Sequence, residues 1–141
     1  MNNAYSAYRS ANVDTADQSK LIIIAYDVAI KHCKLALEHF EGRENIETRT
    51  KHLFKVQDAV SELMGSLKLE MGEIAQNLHR LYDYMLRRLV AANSRNERAA
   101  VEEVLKHLTT LREAWKDAIA TLRTQSGATA DQERKNITIT G

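Results

Sequence analysis

Five histidines and one cysteine are the side chains of this sequence most suited to metal binding or nucleophilic chemistry. A di-iron site in a helical bundle requires Glu-x-x-His pairs, because a glutamate and a histidine three residues apart project inward from the same turn. The residues three positions before the histidines are Ala29, Ala36, Arg49, Gln76 and Val104. Since none of them is acidic, the sequence argues against a metal-dependent bundle oxidase. We expect no metal site and no cofactor.

Cys33 is the single cysteine, so the chain cannot form an internal disulfide. No histidine or other base stands at a spacing diagnostic of an activated thiol. The sequence also lacks a glycine-rich phosphate loop, a nucleophile elbow and a clustered pair of carboxylates. We therefore predict that Cys33 is a buried structural thiol and that the protein is not an enzyme and has no catalytic residues.

Charge and hydropathy exclude two classes of partner. Twenty basic and nineteen acidic residues give a formal net charge of +1, whereas nucleic acids and membrane surfaces are usually bound by a basic excess on one face. The longest apolar run, residues 21–26, is six residues long, and a membrane-spanning helix needs about 20. The first ten residues lack the charged start and apolar stretch of a secretory signal. We expect a cytoplasmic protein with no nucleic-acid partner and no membrane insertion.

The elements that carry these residues are predicted to be helices. The chain has no proline and only five glycines, which permits long uninterrupted helices. Apolar residues recur every three or four positions in four segments, the spacing of a helix with one buried face. The predicted helices cover about residues 16–41, 45–68, 73–93 and 97–122. Two sequences, Thr15-Ala-Asp-Gln18 and Ser94-Arg-Asn-Glu97, have the pattern of capping boxes that open the first and fourth helices.

Helices of this length joined by short connections pack as antiparallel neighbours. The sequence therefore predicts an all-α fold, an antiparallel four-helix bundle over residues 16–124. It is preceded by a short N-terminal arm, residues 1–15, and followed by a flexible C-terminal tail, residues 125–141, which is polar and rich in small residues.

The first helix carries more apolar residues than a bundle core requires, which is about three in seven. At about 100° per residue, its core face holds Ile22, Ala25, Ala29, Cys33, Ala36 and Phe40. One flank of that face holds Ile23, Tyr26, Ile30 and Leu37. The other flank holds Leu21, Ile24, Val28 and Leu35. Most of the circumference of this helix is therefore apolar.

Three interpretations of this apolar surplus remain open from the residues alone. Neighbouring helices and the N-terminal arm cover both flanks, which makes the first helix the most buried one. Alternatively, one flank forms part of an apolar groove that accepts an amphipathic segment of another chain, since large apolar patches usually mark binding sites. In the third, the protein is a helical regulatory or assembly module that forms a homodimer through the surplus apolar face.

Four stretches of the chain share their order and spacing with a known family. They are Tyr8-Arg-Ser-Ala-Asn-Val-Asp-Thr-Ala16, LIIIAYDVAIKHCKLA at 21–36, residues 60–93 with Leu-Tyr-Asp-Tyr-Met at 81–85, and LREAW at 111–115. This pattern resembles the FliS family of flagellar secretion chaperones. The chain has Asp17 where that family usually has proline, and Met71-Gly72 where it usually has two glycines. These two departures affect the expected helix starts rather than the fold, and the tail has no counterpart.

The resemblance implies a cytoplasmic export chaperone. Such a protein binds the C-terminal segment of newly made flagellin, prevents its premature polymerisation and delivers it to a component of the flagellar export machinery. In this family the N-terminal arm covers part of an apolar groove until flagellin displaces it, and Tyr8 and Val13 are the candidates for that covering role. The expected flagellin-binding residues are first Ile23, Tyr26, Ile30 and Leu37, then Leu21, Ile24, Val28 and Leu35.

Overall fold

Four α-helices account for most of the protein in this computed structural model, which describes the backbone of residues 15–68 and 72–140 and the side chains of residues 18–68 and 72–125. The helices are α1 (Thr15–Leu37), α2 (Ile46–Gly65), α3 (Glu73–Ser94) and α4 (Arg98–Thr140), with a 3₁₀ turn at Arg43–Asn45. The described backbone contains no strand. The predicted all-α fold is confirmed.

The helices form a square in which sequence neighbours run antiparallel. Helix α1 packs on α2 and α4, and α3 packs on the same two helices, so α1 and α3 lie on a diagonal. The direction of α4 against α1 follows from two contacts. Arg98, the first residue of α4, donates to the carbonyl oxygen of Leu37 at the end of α1 over 2.7 Å. Fourteen residues further along α4, Arg112 binds Asp27, nearer the start of α1.

The core is built on the small-residue face of α1. Ala25, Ala29, Cys33 and Ala36 are buried, and Phe40, just beyond the helix, is buried with them. Small residues let neighbouring helices approach α1 closely, and larger side chains of the other helices fill the interior. Those larger side chains are Leu53, Val56, Val60, Tyr82, Met85, Leu89, Val101, Val104 and Leu108. The predicted core face is confirmed except at Ile22, which is half-buried at the edge of the core.

The connection between α1 and α2 begins earlier than predicted. Helix α1 ends at Leu37 rather than near Glu41, because the amide of His39 bonds to the carbonyl of Ala36 and tightens the last turn. This tightening directs Phe40 back into the core. Gly42 then turns the chain with φ of 82°, a left-handed conformation that glycine adopts without strain.

The capping box predicted at residues 94–97 is wrong. Ser94 is the last residue of α3, and Asn96 adopts a left-handed conformation with φ of 55°. The amide of Glu97 then bonds to the carbonyl oxygen of Ala92 over 3.0 Å, the six-to-one bond of a Schellman motif. The segment therefore closes α3, and α4 begins only at Arg98.

Two predicted segments lie partly or wholly outside the described residues. The arm, with Tyr8 and Val13, falls there apart from the backbone of Thr15. The predicted tail, residues 125–141, is described only in its backbone beyond residue 125, and that backbone continues α4 to Thr140. The flexibility of the tail stays a prediction. Residues 125–140 contain one glycine and no proline, so their composition places no strong helix breaker in that stretch. No helix within the described ranges is long and apolar enough to cross a membrane.

Candidate partner-binding surface

The two apolar flanks of α1 face different neighbours. The flank with Ile23 and Ile30 is turned towards α4, where Ile23 meets Ile119 across a groove. The flank with Ile24 and Val28 is turned towards α2, where both residues line a groove with Ala59. The square packing therefore divides the predicted binding surface between two helix–helix junctions.

Tyr26 belongs to the core and not to the partner-binding flank, which corrects the sequence-based assignment. The side chain is fully buried, and its hydroxyl group meets the hydroxyl of Tyr82 on the diagonal helix α3. Burial raises the pKa of Tyr26, and the neighbouring Tyr82 raises it further. The indole of Trp115 offsets part of this effect. The periodicity of α1 placed Tyr26 at the edge of the core, but a polar partner on another helix cannot be read from that pattern.

Leu21 is also buried, with 5% of its surface exposed. It lies where the start of α1 meets the end of α2, in a cavity of about 230 Å³ that it shares with Leu63 and Leu67. Its side chain therefore stabilises the end of the bundle, and it is removed from the set of accessible binding residues.

The remaining predicted residues differ in accessibility. Ile30 and Leu37 are half-buried and pack against the core. Ile23 and Leu35 are also half-buried. Ile24 and Val28, with 40% and 38% of their surfaces exposed, are the two members of the predicted set that the solvent reaches most freely. The flank that the sequence ranked second is therefore the better exposed one.

A groove of about 650 Å³ lies between the first half of α1 and α4. Its apolar lining consists of Ile23, Ile24, Ile119 and Ala120. Its polar lining consists of Ser19, Lys20, Lys116 and Arg123. Within the described part of the chain, none of the three cations forms an ion pair. This α1–α4 groove therefore combines an apolar floor with a rim of unpaired positive charge.

A second groove, of about 280 Å³, runs between α1 and α2. Ile24, Ala25, Val28 and Ala59 form its apolar part. His32, Lys55, Asp58 and Glu62 form its polar edge. Ile24 lines both grooves, so the α1–α4 groove and this α1–α2 groove adjoin each other on either side of one exposed side chain.

Comparison of the sequence with known proteins identifies its family. Residues 1–122 match the family described as "Flagellar protein FliS". The chain belongs to the FliS family. The match includes all residues of the α1–α2 groove and of the α1–α4 groove except Arg123.

Several proteins named flagellar secretion chaperone FliS are similar in sequence to this chain. The protein of Bacillus subtilis strain 168 is 35% identical over 121 residues, which cover 86% of this chain and 90% of that protein. The protein of Escherichia coli strain K12 is 49% identical over 112 residues, which cover 76% of this chain and 79% of that protein. The protein of Salmonella typhimurium strain LT2 is 36% identical over 117 residues, or 78% of this chain and 85% of that protein.

Two further features of this FliS-family chain concern its histidines and its thiol. At the polar edge of the α1–α2 groove, Nδ1 of His32 lies 3.0 Å from Nδ1 of His52, a contact between residues twenty apart in the sequence. The ring of His39 stacks on His52 at a centroid distance of 6.0 Å. Cys33 is buried as predicted, and burial raises the pKa of its thiol to about 12. A thiol with so high a pKa is a poor nucleophile.

Proposed function

We propose that this FliS-family protein is a non-enzymatic, cytoplasmic chaperone that binds the C-terminal segment of flagellin in the two grooves beside Ile24. The observation that carries the proposal is the exposure of Ile24, which lines both adjoining grooves, and of Val28, which lines the α1–α2 groove. An amphipathic helix laid into an apolar groove is a common mode of recognition. The family description and the name flagellar secretion chaperone carried by the relatives support a partner that belongs to the flagellum.

The energetics of such a complex follow from apolar burial. For side chains such as Ile23, Ile24 and Val28, complete burial from a fully exposed state contributes roughly 1.5–3 kcal/mol each. Their partial exposure in the free protein lowers that figure, and ordering the bound segment costs further free energy. Contributions from Ile119 and Ala59 on the neighbouring helices therefore belong to the same binding surface.

The same burial explains how binding prevents polymerisation. A flagellin segment whose apolar stripe is covered by the chaperone cannot pair that stripe with another flagellin. We propose that this competition keeps flagellin monomeric until a component of the flagellar export machinery receives the complex. We also propose that the N-terminal arm, through Tyr8 and Val13, covers part of the surface before flagellin arrives.

The test of the proposal replaces Ile24 or Val28 by aspartate and measures binding to a flagellin C-terminal fragment by calorimetry. We expect the wild-type protein to form a one-to-one complex. We expect Ile24→Asp and Val28→Asp to weaken binding about tenfold or more, since each removes apolar contact area and buries a charge. Helical content should not change, because both positions are solvent-exposed in the free protein.

Two matched variants on the diagonal helix serve as controls. Ile74 and Val90 of α3 are exposed by 78% and 55%, and neither lines either groove beside Ile24. Ile74→Asp and Val90→Asp should therefore leave the affinity for flagellin unchanged. Equal losses in the groove variants and in these controls, or no loss in either, would mean that flagellin binds elsewhere.

A further inference from the structure

Arg49 is a buried cation that lines neither groove beside Ile24. It is 2% exposed and lies in the first turn of α2, at the end of the bundle where the two connections α1–α2 and α3–α4 meet. Its guanidinium group stacks on the ring of Phe40, with 4.6 Å between the guanidinium carbon and the ring centroid.

The hydrogen bonds of Arg49 leave its charge uncompensated. It donates to the side-chain oxygen of Asn93 over 3.3 Å, to the backbone oxygen of Asn93 over 3.3 Å and to the side-chain oxygen of Asn96 over 2.6 Å. All three acceptors are neutral, and no carboxylate in the described part of the chain pairs with this arginine. A guanidinium group has five N–H donors, so two of them form no hydrogen bond to the described residues. A buried charge without a counter-charge is costly, and an anion would compensate it.

A cavity of about 350 Å³ opens beside this arginine. The residues that line it are Phe40, Gly42, Arg43, Ile46, Arg49, Asn93, Ser94 and Asn96. The lining contains two arginines and no acidic side chain, and Phe40 and Ile46 give it an apolar part. Glu44 lies against Gly42 near the rim, and it forms an ion pair with neither arginine.

We propose that this cavity binds a carboxylate group of a partner protein, with an apolar side chain of the partner next to it. Arg43 and the two unused N–H groups of Arg49 are the donors, since guanidinium groups recognise carboxylates through paired N–H bonds. The site lies about 20 Å along α1 from Ile24, by the helical rise from residue 24 to residue 37. Its lining shares no residue with either groove beside Ile24, so a partner bound here need not contact Ile24.

The test titrates the isotopically labelled full-length protein with three small probes. N-acetyl-leucine presents a carboxylate next to an apolar side chain, N-acetyl-leucinamide lacks only the charge, and acetate lacks only the apolar part. The signals to follow are the side-chain Nε–H of Arg49 and the backbone amides of Asn93, Ser94 and Asn96. We expect saturable shifts with N-acetyl-leucine, at least several-fold weaker binding of acetate, and no saturable shift with the amide.

A pair of arginine variants tests the assignment without disturbing the buried hydrogen bonds of Arg49. Arg43 is exposed, so Arg43→Ala should leave the fold intact and weaken N-acetyl-leucine binding about tenfold by removing a charge-assisted bond. Arg95 is exposed at the same end of the bundle but does not line the cavity, and Arg95→Ala should have no effect. Equal binding of the amide, equal binding of acetate, no saturable shift, or equal effects of the two variants would each overturn the proposal.

Discussion

Three histidines meet where α1 packs on α2, and one of them lines the proposed binding surface. His32 lines the α1–α2 groove and contacts His52, which in turn stacks on His39. Burial lowers the pKa of His32, and the positive charges of His52, Lys31 and Lys55 lower it further. The folded protein therefore favours the neutral form of His32.

The first prediction concerns stability against pH. Because folding lowers the pKa of His32 below its ordinary value of 6.5, the unfolded chain binds more protons than the folded one between those two values. Stability is then complete above about pH 6.5 and declines as the pH falls through the lower pKa of the folded state. Urea unfolding between about pH 7.5 and 5.5 should show a falling midpoint in the wild-type protein and a flatter profile in His32→Gln.

The matched control for this prediction is His79→Gln. His79 lies on α3, on the diagonal from α1, and takes no part in the histidine contacts. Its variant should keep the wild-type pH profile. A profile that is unchanged in His32→Gln would show that other groups dominate the titration.

At the scale of elements, the bundle is tied together across its diagonal by two tyrosines. Tyr26 of α1 and Tyr82 of α3 are both buried, and their hydroxyl groups bond to each other between helices that share little other contact. Burial raises the pKa of both side chains, so both stay neutral at physiological pH. A polar pair in an apolar interior fixes which faces of α1 and α3 point inward, since any other orientation leaves a hydroxyl group without a partner.

The second prediction is a double-mutant cycle on this pair. Tyr26→Phe or Tyr82→Phe alone should destabilise the protein by about 1–3 kcal/mol, because the remaining buried hydroxyl group loses its bond to the other tyrosine. The double variant should cost less than the sum of the two single variants, measured by urea unfolding. Additive losses would contradict a direct hydroxyl–hydroxyl bond.

The same variants separate the core from the binding surface. Tyr26→Phe should bind the flagellin fragment as tightly as the wild-type protein, since the hydroxyl group is not accessible. Tyr84→Phe is a suitable comparison, because its hydroxyl group is exposed and donates to Glu103 on the surface. It should cost less stability than either buried variant. A selective loss of flagellin binding in Tyr26→Phe would restore this residue to the binding site.

At the scale of the whole molecule, basic and acidic residues are nearly equal in number but unevenly distributed over the surface. The formal charge is +1, yet Lys20, Lys116 and Arg123 stand unpaired around the α1–α4 groove within the described residues. In a homodimer with two-fold symmetry, the same patch faces itself. A dimer through this groove would bring the three cations of one copy towards those of the other, which is repulsive.

The third prediction is therefore that the free protein is a monomer. Light scattering over a dilution series at moderate salt should report a mass near 16.0 kDa at every concentration. A tight dimer that Ile24→Asp dissociates would instead favour the homodimeric regulatory or assembly module. The variant Ile74→Asp is again the control, since its side chain lies outside the groove.

Local patterning was sufficient to predict the four helices and most of the core. The absence of proline and the three-four spacing of apolar residues depend only on neighbours along the chain, so they identify helices and their buried faces. The small-residue face of α1, from Ala25 to Ala36, was predicted in this way and is buried. The ends of helices were less predictable, because the turn at Asn96 depends on a left-handed residue that no periodicity reveals.

The tertiary structure decided which apolar residues of α1 remain accessible. Each residue on a flank of that helix has the same local signal, and only the positions of α2, α3 and α4 determine whether a neighbour covers it. Helix α3 supplies the hydroxyl group that keeps Tyr26 inside, whereas Ile24 falls between two neighbours and stays exposed. The contact between His32 and His52 also joins residues distant in sequence, as does the hydrogen bond from Arg49 to Asn96. The sequence by itself determined that α1 has apolar surface to spare, and packing alone decided where that surface opens to a partner.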